Sequence, residues 1–122
     1  MILNLGCGIA RMSGAVNVDN RSLVEPDVVW DLNDFPYPWA DSMFDRIIMS
    51  HILEHLDSVS KVLLECNRLL KWEGVLEVSV PHCSHDLALG DRFHKRIVNT
   101  YKSFYAQKLT NFLYVNLQRN YR

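Results

Sequence analysis

A short apolar run that breaks into two glycines one residue apart limits what this chain can fold into more than any other feature. Met1-Ile2-Leu3-Asn4-Leu5 leads into Gly6-Cys7-Gly8, and after six further residues a second run, Ala15-Val16-Asn17-Val18, ends in Asp19. Apolar, β-branched runs stopped by glycine or an acid read as buried parallel strands. Glycine lets the backbone turn sharply and approach a ligand where a Cβ would clash. An acid closing the next strand stands where a ribose diol finds a two-pronged acceptor. The pattern is a nucleotide-site arrangement. It is not a phosphate loop, since the Lys and Ser/Thr of that motif are missing. A tight glycine turn between two core strands is the plainer alternative. Ile9 to Gly14 are too few to hold a crossover helix of ordinary length, so one sheet face is expected to need another cover there.

Further along, residues 27–30 read as a third strand, introduced by Pro26 and closed by Asp31, and Leu32 to Ser42, with Pro36, Pro38 and three aromatics, as an ordered loop. Phe44 to Ser50 is a fourth strand. A helix capped by Asp57 or Ser58 is predicted to run to about Lys71, because Val59, Val62, Leu63, Cys66, Leu69 and Leu70 form one apolar stripe. Gly74 is expected to end it, and Val75 to Val80 to be a fifth strand. Beyond Pro81 the pattern predicts a loop over residues 82–96, a helix over 100–109 and a last strand over 111–117.

The ordered set Leu3-Asn4-Leu5-Gly6-Cys7-Gly8, Val16-Asn17-Val18-Asp19, Asp31-Leu32, Phe44-Asp45-Arg46-Ile47-Ile48, His51-Ile52-Leu53-Glu54-His55-Leu56, Arg68-Leu69-Leu70-Lys71-Trp72-Glu73-Gly74 and Val80-Pro81-His82 resembles the class I S-adenosylmethionine-dependent methyltransferases, in particular their type 11 group. The resemblance runs from residue 2 to about residue 104. It implies an α/β, Rossmann-like, doubly wound and mostly parallel sheet of five or six strands, reduced by the missing helix between the first two strands and by an incomplete C-terminal hairpin. It implies one domain over 1–122, with 1–81 the nucleoside-binding half and 82–122 the acceptor side.

The same resemblance implies S-adenosylmethionine as cofactor and a methyl transfer by direct displacement to a small-molecule acceptor. The methionine end would lie over Gly6-Cys7-Gly8, Asp19 would take the ribose hydroxyls, Asp31 the adenine amino group and the Leu32 backbone the ring edge. Asn4 stands where many relatives have an acid. Ser50 and His51, at the end of the fourth strand, would meet the cofactor, His51 facing the methyl donor or acceptor. His51, His82 and His94 are the candidates for a base or an orienting group, and none is singled out. Taken singly, Asp19 and Asp31 are equally turn acids. The alternative function is a reduced, non-catalytic domain that keeps the fold for binding or assembly.

His51-Ile52-Leu53-Glu54-His55 also spells the inverted zincin signature, which requires its residues on one long helix. Here it directly follows a strand, and no repeated pair supports zinc around His82, Cys83, His85 and Asp86, so no metal is expected. Cys7, Cys66 and Cys83 are odd in number and irregular in spacing, which suits free thiols and a cytoplasmic setting. No leader and no membrane segment are expected, since Met1 enters a core strand directly and no apolar run reaches the length of a span.

The net charge of −1 conceals a division: residues 1–91 carry six Lys/Arg against fourteen Asp/Glu, whereas 92–122 carry seven Lys/Arg and no acid. With seven aromatics interleaved, the basic tail has the composition of a nucleic-acid surface. The preferred reading is that it packs on the acidic front of the same chain or a partner. A homodimer is expected, and nucleic acid is not.

Overall fold

The computed structural model describes residues 1–79 and the backbone of 103–108 and 113–118. Seven strands, β1 (Ile2–Leu5), β2 (Ala15–Asp19), β3 (Val28–Val29), β4 (Phe44–Ser50), β5 (Leu70–Ser79), β6 (Ser103–Lys108) and β7 (Leu113–Gln118), form one sheet in the order β3-β2-β1-β4-β5-β6-β7. The pairs from β3 to β5 are parallel, and β6 and β7 are antiparallel additions at the β5 edge. The α/β, mostly parallel architecture is as expected. β1 sits in the middle because its run is apolar enough to be buried between two neighbours: Leu3 and Leu5 are fully buried.

Register sorts the side chains into two faces. Val16, Leu3, Ile47 and Leu76 lie side by side, as do Val18, Leu5, Met49 and Val78, and these two rows are the core. α1 (Val59–Leu69) lies on them through Val62, Cys66 and Leu69, with Val59 and Leu63 half-buried. Burial pushes the Cys66 thiol up to about 12, so it serves as a small apolar filler. On the opposite face the rows are Ala15, Ile2, Arg46, Val75 and Asn17, Asn4, Ile48, Glu77. Arg46 pairs there with Glu77. A shallow concavity of about 720 Å³ opens beside them, lined by Met1, Ile2, Gly14, Asp45, Arg46, Val75 and Glu77.

Ser58 caps α1 by accepting from the Lys61 N–H, as the sequence pattern predicts. Its end differs from expectation. The helix stops at Leu69 rather than near Lys71, and Gly74 lies inside β5 instead of terminating the helix. Leu70 already pairs with Phe44, and the ladder slips before resuming at Arg46 and Val75. Within that slip Glu73 takes a φ of 65°, and a Cβ on Gly74 would stand 2.8 Å from the Lys71 carbonyl oxygen. Gly74 is therefore required by a bulge in the strand.

Three other expectations are corrected. Residues 27–30 give a strand only over Val28–Val29, because Asp27 turns its carboxylate onto Asn17. Residues 103–108, expected within a helix, form β6, which pairs antiparallel with β7. The sheet thus has seven strands where five or six were expected. The exposed edge of β5 explains it: an unpaired edge leaves a row of backbone donors and acceptors open, and pairing satisfies them. β7 pairs with β6 in this chain's own sheet. The predicted loop over 82–96 lies outside the described residues.

The segment from Leu32 to Ser42 is an ordered loop, as expected, and its order has an identifiable cause. Tyr37 is buried and donates from its hydroxyl to the Leu32 carbonyl at 2.8 Å. Arg68 of α1 donates to Trp39 O at 2.9 Å, Tyr37 O at 3.2 Å and Asp41 Oδ1 at 2.8 Å while held by Glu65. The Ser42 and Met43 N–H groups then satisfy the last carbonyls of the helix, those of Arg68 and Leu69. Replacing Arg68 with alanine strands these loop carbonyls, so we expect a loss of about 2 kcal/mol in urea unfolding. Lysine, lacking the planar fork, should restore only part of it. An unchanged midpoint in Arg68→Ala would show that the loop is held without this clamp.

Candidate functional site

Parallel β1 and β2 are joined by Gly6 to Gly14 alone, and two buried asparagines hold that connection in place of a helix. Asn4 Nδ2 donates to Ala10 O at 3.2 Å and to Asn17 Oδ1 at 3.0 Å. Asn17 accepts the Met12 N–H at 2.8 Å and donates to Met12 O and to Asp27 Oδ2, each at 3.0 Å. Asp27 in turn pairs with Arg11 at 3.0 Å. Asn4 is thus placed beneath the loop, with its amide spent on the loop itself.

Gly6 and Gly8 adopt φ values of 68° and 52°. At Gly6 a Cβ would come within 2.5 Å of Ile52 Cγ1, so this glycine is needed to admit a side chain of the same protein. At Gly8 the nearest atom to such a Cβ is Arg21 Nη2 at 3.4 Å, leaving that stretch of backbone open. Cys7 between them points inward and is buried, and its burial, followed by the negative charge of Asp19, raises the thiol's pKa.

Asp19 ends β2 with its side chain buried. Oδ2 accepts the Gly8 N–H at 2.9 Å, and Oδ1 accepts the Arg21 N–H at 2.9 Å and Nε at 3.1 Å. Burial alone would raise its pKa. The hydrogen bonds from the Arg21 side chain, the Arg21 N–H and the Gly8 N–H together outweigh burial and hold it below the usual value. Asp31 is exposed and accepts the Asn33 N–H at 2.9 Å, while Asn33 Oδ1 accepts the Asp57 N–H at 3.0 Å. Both acids therefore also perform the turn duty that the sequence left open.

These pieces surround one cleft of about 110 Å³, lined by Gly6, Asp19, Asn20, Trp30, Asp31, Leu32, Asn33, Ile52, His55 and Leu56. Of the predicted binding residues, Gly6, Asp19, Asp31 and Leu32 meet there. Asn4, Cys7, Gly8, Ser50 and His51 are not part of its lining. Asn20, Trp30, Asn33, Ile52, His55 and Leu56 were not anticipated. The signal for the last three lay in the motif after β4, since His51 takes a φ of 53° and the chain turns there.

Leu53–His55 is a single 3-10 turn preceding α1. His51 precedes that turn, and the three residues of the zincin spelling do not share a helix. Among the described residues no group of three or more His, Cys, Asp or Glu could hold a metal ion. Glu54 is buried, with Oε1 3.6 Å from His55 Nε2. His82, Cys83, His85, Asp86 and His94 lie outside the described residues.

A carboxylate whose folded pKa is depressed contributes stability that is present above its unfolded pKa, about 3.9, and is lost as pH falls through the folded value. Asp19→Asn should therefore be less stable than the parent at neutral pH, and the difference should shrink below about pH 4. Thermal melts across pH 2–7 check this. Parallel curves for the two proteins would mean that the Asp19 charge does not support the fold.

The family model described as a methyltransferase domain matches residues 8–78. No curated protein sequence matches the chain. Among solved structures, a SAM-dependent methyltransferase from Archaeoglobus fulgidus superposes with a TM-score of 0.62 at 20% identity, covering 74% of this chain and 48% of that one. A complex of the Haloferax volcanii Trm112 methyltransferase activator with its methyltransferase partner gives 0.57 at 16%, covering 80% and 51%. The cyclase SpnF gives 0.56 at 16%, covering 65% and 38%. The chain spans about half the length of these structures or less. Identities at this level carry the fold alone, whereas the family match covers more than half of the chain. Together with the glycine turn, the strand order and Asp19 at the end of β2, that match means that the chain belongs to the S-adenosylmethionine-dependent methyltransferase-domain family, type 11.

Proposed function

We infer that the described residues are the nucleoside-binding half of a methyltransferase acting on a small-molecule acceptor. One observation carries this: Gly6, Asp19, Asp31 and Leu32, far apart in sequence, line a single cleft at the carboxyl ends of β1, β2 and β3. That is where open α/β sheets bind ligands. The residues fit adenosylmethionine at its nucleoside end. A buried carboxylate faces the ribose position, Asp31 and the Leu32 backbone supply an acceptor and an edge, and the half-buried Trp30 offers an apolar wall. When bound, the cofactor supplies an activated methyl group.

The chain's own contribution is placement. Methyl transfer needs nucleophile and sulfonium aligned, and a preformed cleft reduces the ordering cost. Asp19 would accept from the ribose, and Asp31 from the adenine amino group. Of His51, His82 and His94, only His51 falls among the described residues, exposed at the end of β4. Residues 82–122 are assigned to the acceptor side, and the setting to the cytoplasm. No helix among the described residues is long and apolar enough to cross a membrane.

The second reading, a reduced, non-catalytic domain that keeps the fold for binding or assembly, is favoured by one feature: Asp19 already has three donors within the chain. Calorimetry with adenosylhomocysteine and a methyl-transfer assay separate the two. Binding is expected, and Asp19→Ala should weaken it by roughly 1–3 kcal/mol. No heat at millimolar ligand would end the catalytic reading and leave the fold a role in assembly alone, and binding with no transfer to any acceptor tried would favour the second.

Self-association rests on the face bearing Ile2, Ile48 and Val75, half-buried and uncovered by any helix among the described residues. Two such faces brought together would remove this apolar surface from water. Light scattering at high concentration should give twice the 14.2 kDa chain mass, and Ile48→Lys should halve it. A monomer at all concentrations would mean that the face is covered within the chain.

A further inference from the structure

The guanidinium of Arg21 lies between the glycine loop and the acid that closes β2, on the carboxylate assigned above to the ribose hydroxyls. Its Nε donates to Asp19 Oδ1 at 3.1 Å, and its Nη2 stands nearest to where a Cβ on Gly8 would be. An ionised carboxylate offers about four lone-pair sites. Three of those on Asp19 are used: one by the Gly8 N–H, one by the Arg21 N–H and one by the Arg21 side chain. A vicinal diol that donates from both hydroxyls needs two. One remains.

The two backbone donors cannot leave without unmaking the loop, but the Arg21 side chain can. It is 62% exposed, so its release into water costs little. We propose that Arg21 is a competitive latch on the ribose subsite: its guanidinium holds Asp19 in the unliganded chain and is displaced by the ribose diol of a nucleoside ligand. The latch keeps the buried carboxylate paired until a diol arrives, because a buried charge without a partner is costly. It also makes the diol, rather than the base, the group that opens the site. Arg21 thereby sets affinity and selectivity for the sugar without touching the reacting atoms.

This inference rests on the nucleoside reading, and the test separates the two. Titrate adenosylhomocysteine and its 2′,3′-dideoxy analogue into the parent, Arg21→Ala and Arg21→Lys by calorimetry, at low and high salt. Removing an exposed ion pair that the ligand must break should tighten adenosylhomocysteine binding ~2–5-fold in Arg21→Ala. The dideoxy analogue should gain less, since it does not compete for Asp19. Raising salt should favour binding to the parent by screening the latch, and should not do so in Arg21→Ala. The lysine variant, with a compact charge and no fork, should fall between. As a ligand-free readout, NMR titration should place the Asp19 carboxyl pKa higher in Arg21→Ala.

Equal affinity in the parent and Arg21→Ala would overturn the latch and leave the nucleoside site standing. Weaker binding in Arg21→Ala would also overturn it, by making the guanidinium a contact of the bound ligand. Absence of binding in all three proteins would end the nucleoside reading and the latch together.

Discussion

Everything at the carboxyl edge of the sheet depends on how a parallel pair of strands is joined without a helix. A connection of this kind is ordinarily a dozen or more residues, because the chain must return to the same end before running forward again. Here Gly6 to Gly14 makes the return alone, and its backbone donors and acceptors must find partners within that span. Asn17 supplies two of them, both at Met12. Its amide accepts the Met12 N–H and donates to Met12 O and Asp27, while Asn4 reaches across from β1 to Asn17 and Ala10. Both asparagines are buried. An unmet group there costs roughly 1–3 kcal/mol, comparable to a large share of a domain's net stability. The polar knot stabilises the loop from below, and the loop in turn places the Gly8 N–H on Asp19.

That arrangement gives the amide at position 4 a task that an acid could not perform. A carboxylate is an acceptor only and could not donate to Ala10 O. With no helix to bury the loop, a donor at position 4 serves the fold.

How far the sequence disclosed this follows from which signals are local. β1, β2 and β4 and the Ser58 cap were legible because each is written in consecutive residues: an apolar run with its stop, or a cap followed by a stripe. Asp19 and Asp31 were legible for the same reason, as acids at strand ends. The helix end was not, since Gly74 looks like a C-terminal stop and only the slip between β4 and β5 shows that it serves a bulge. The strand over 103–108 was not legible either. Ser-Phe-Tyr-Ala-Gln-Lys has no alternating pattern to mark it, and it is the open edge of β5 that makes it a strand. The same holds for the cleft wall: Trp30 and the turn that carries Ile52 and His55 are distant in sequence, and only the fold brings them to the cleft that Asp19 lines.

The two glycines that follow β1 do different work, and the difference bears on function. Gly6 was expected to clear space for a ligand, yet the space beyond its Cα is filled by Ile52, 2.5 Å from where a Cβ would be. Its left-handed φ and this contact make it a packing residue that seats the turn after β4 against β1. The seating brings His55 and Leu56 to the cleft. Gly8 has no such neighbour, and only the mobile end of an arginine lies near it. The first glycine is therefore committed to building the pocket wall, and the second leaves backbone exposed where a ligand can approach. A chain that merely needed a tight turn would have use for the first. The open Gly8, with a buried carboxylate bonded to its N–H, is the part of the motif that a turn alone does not require.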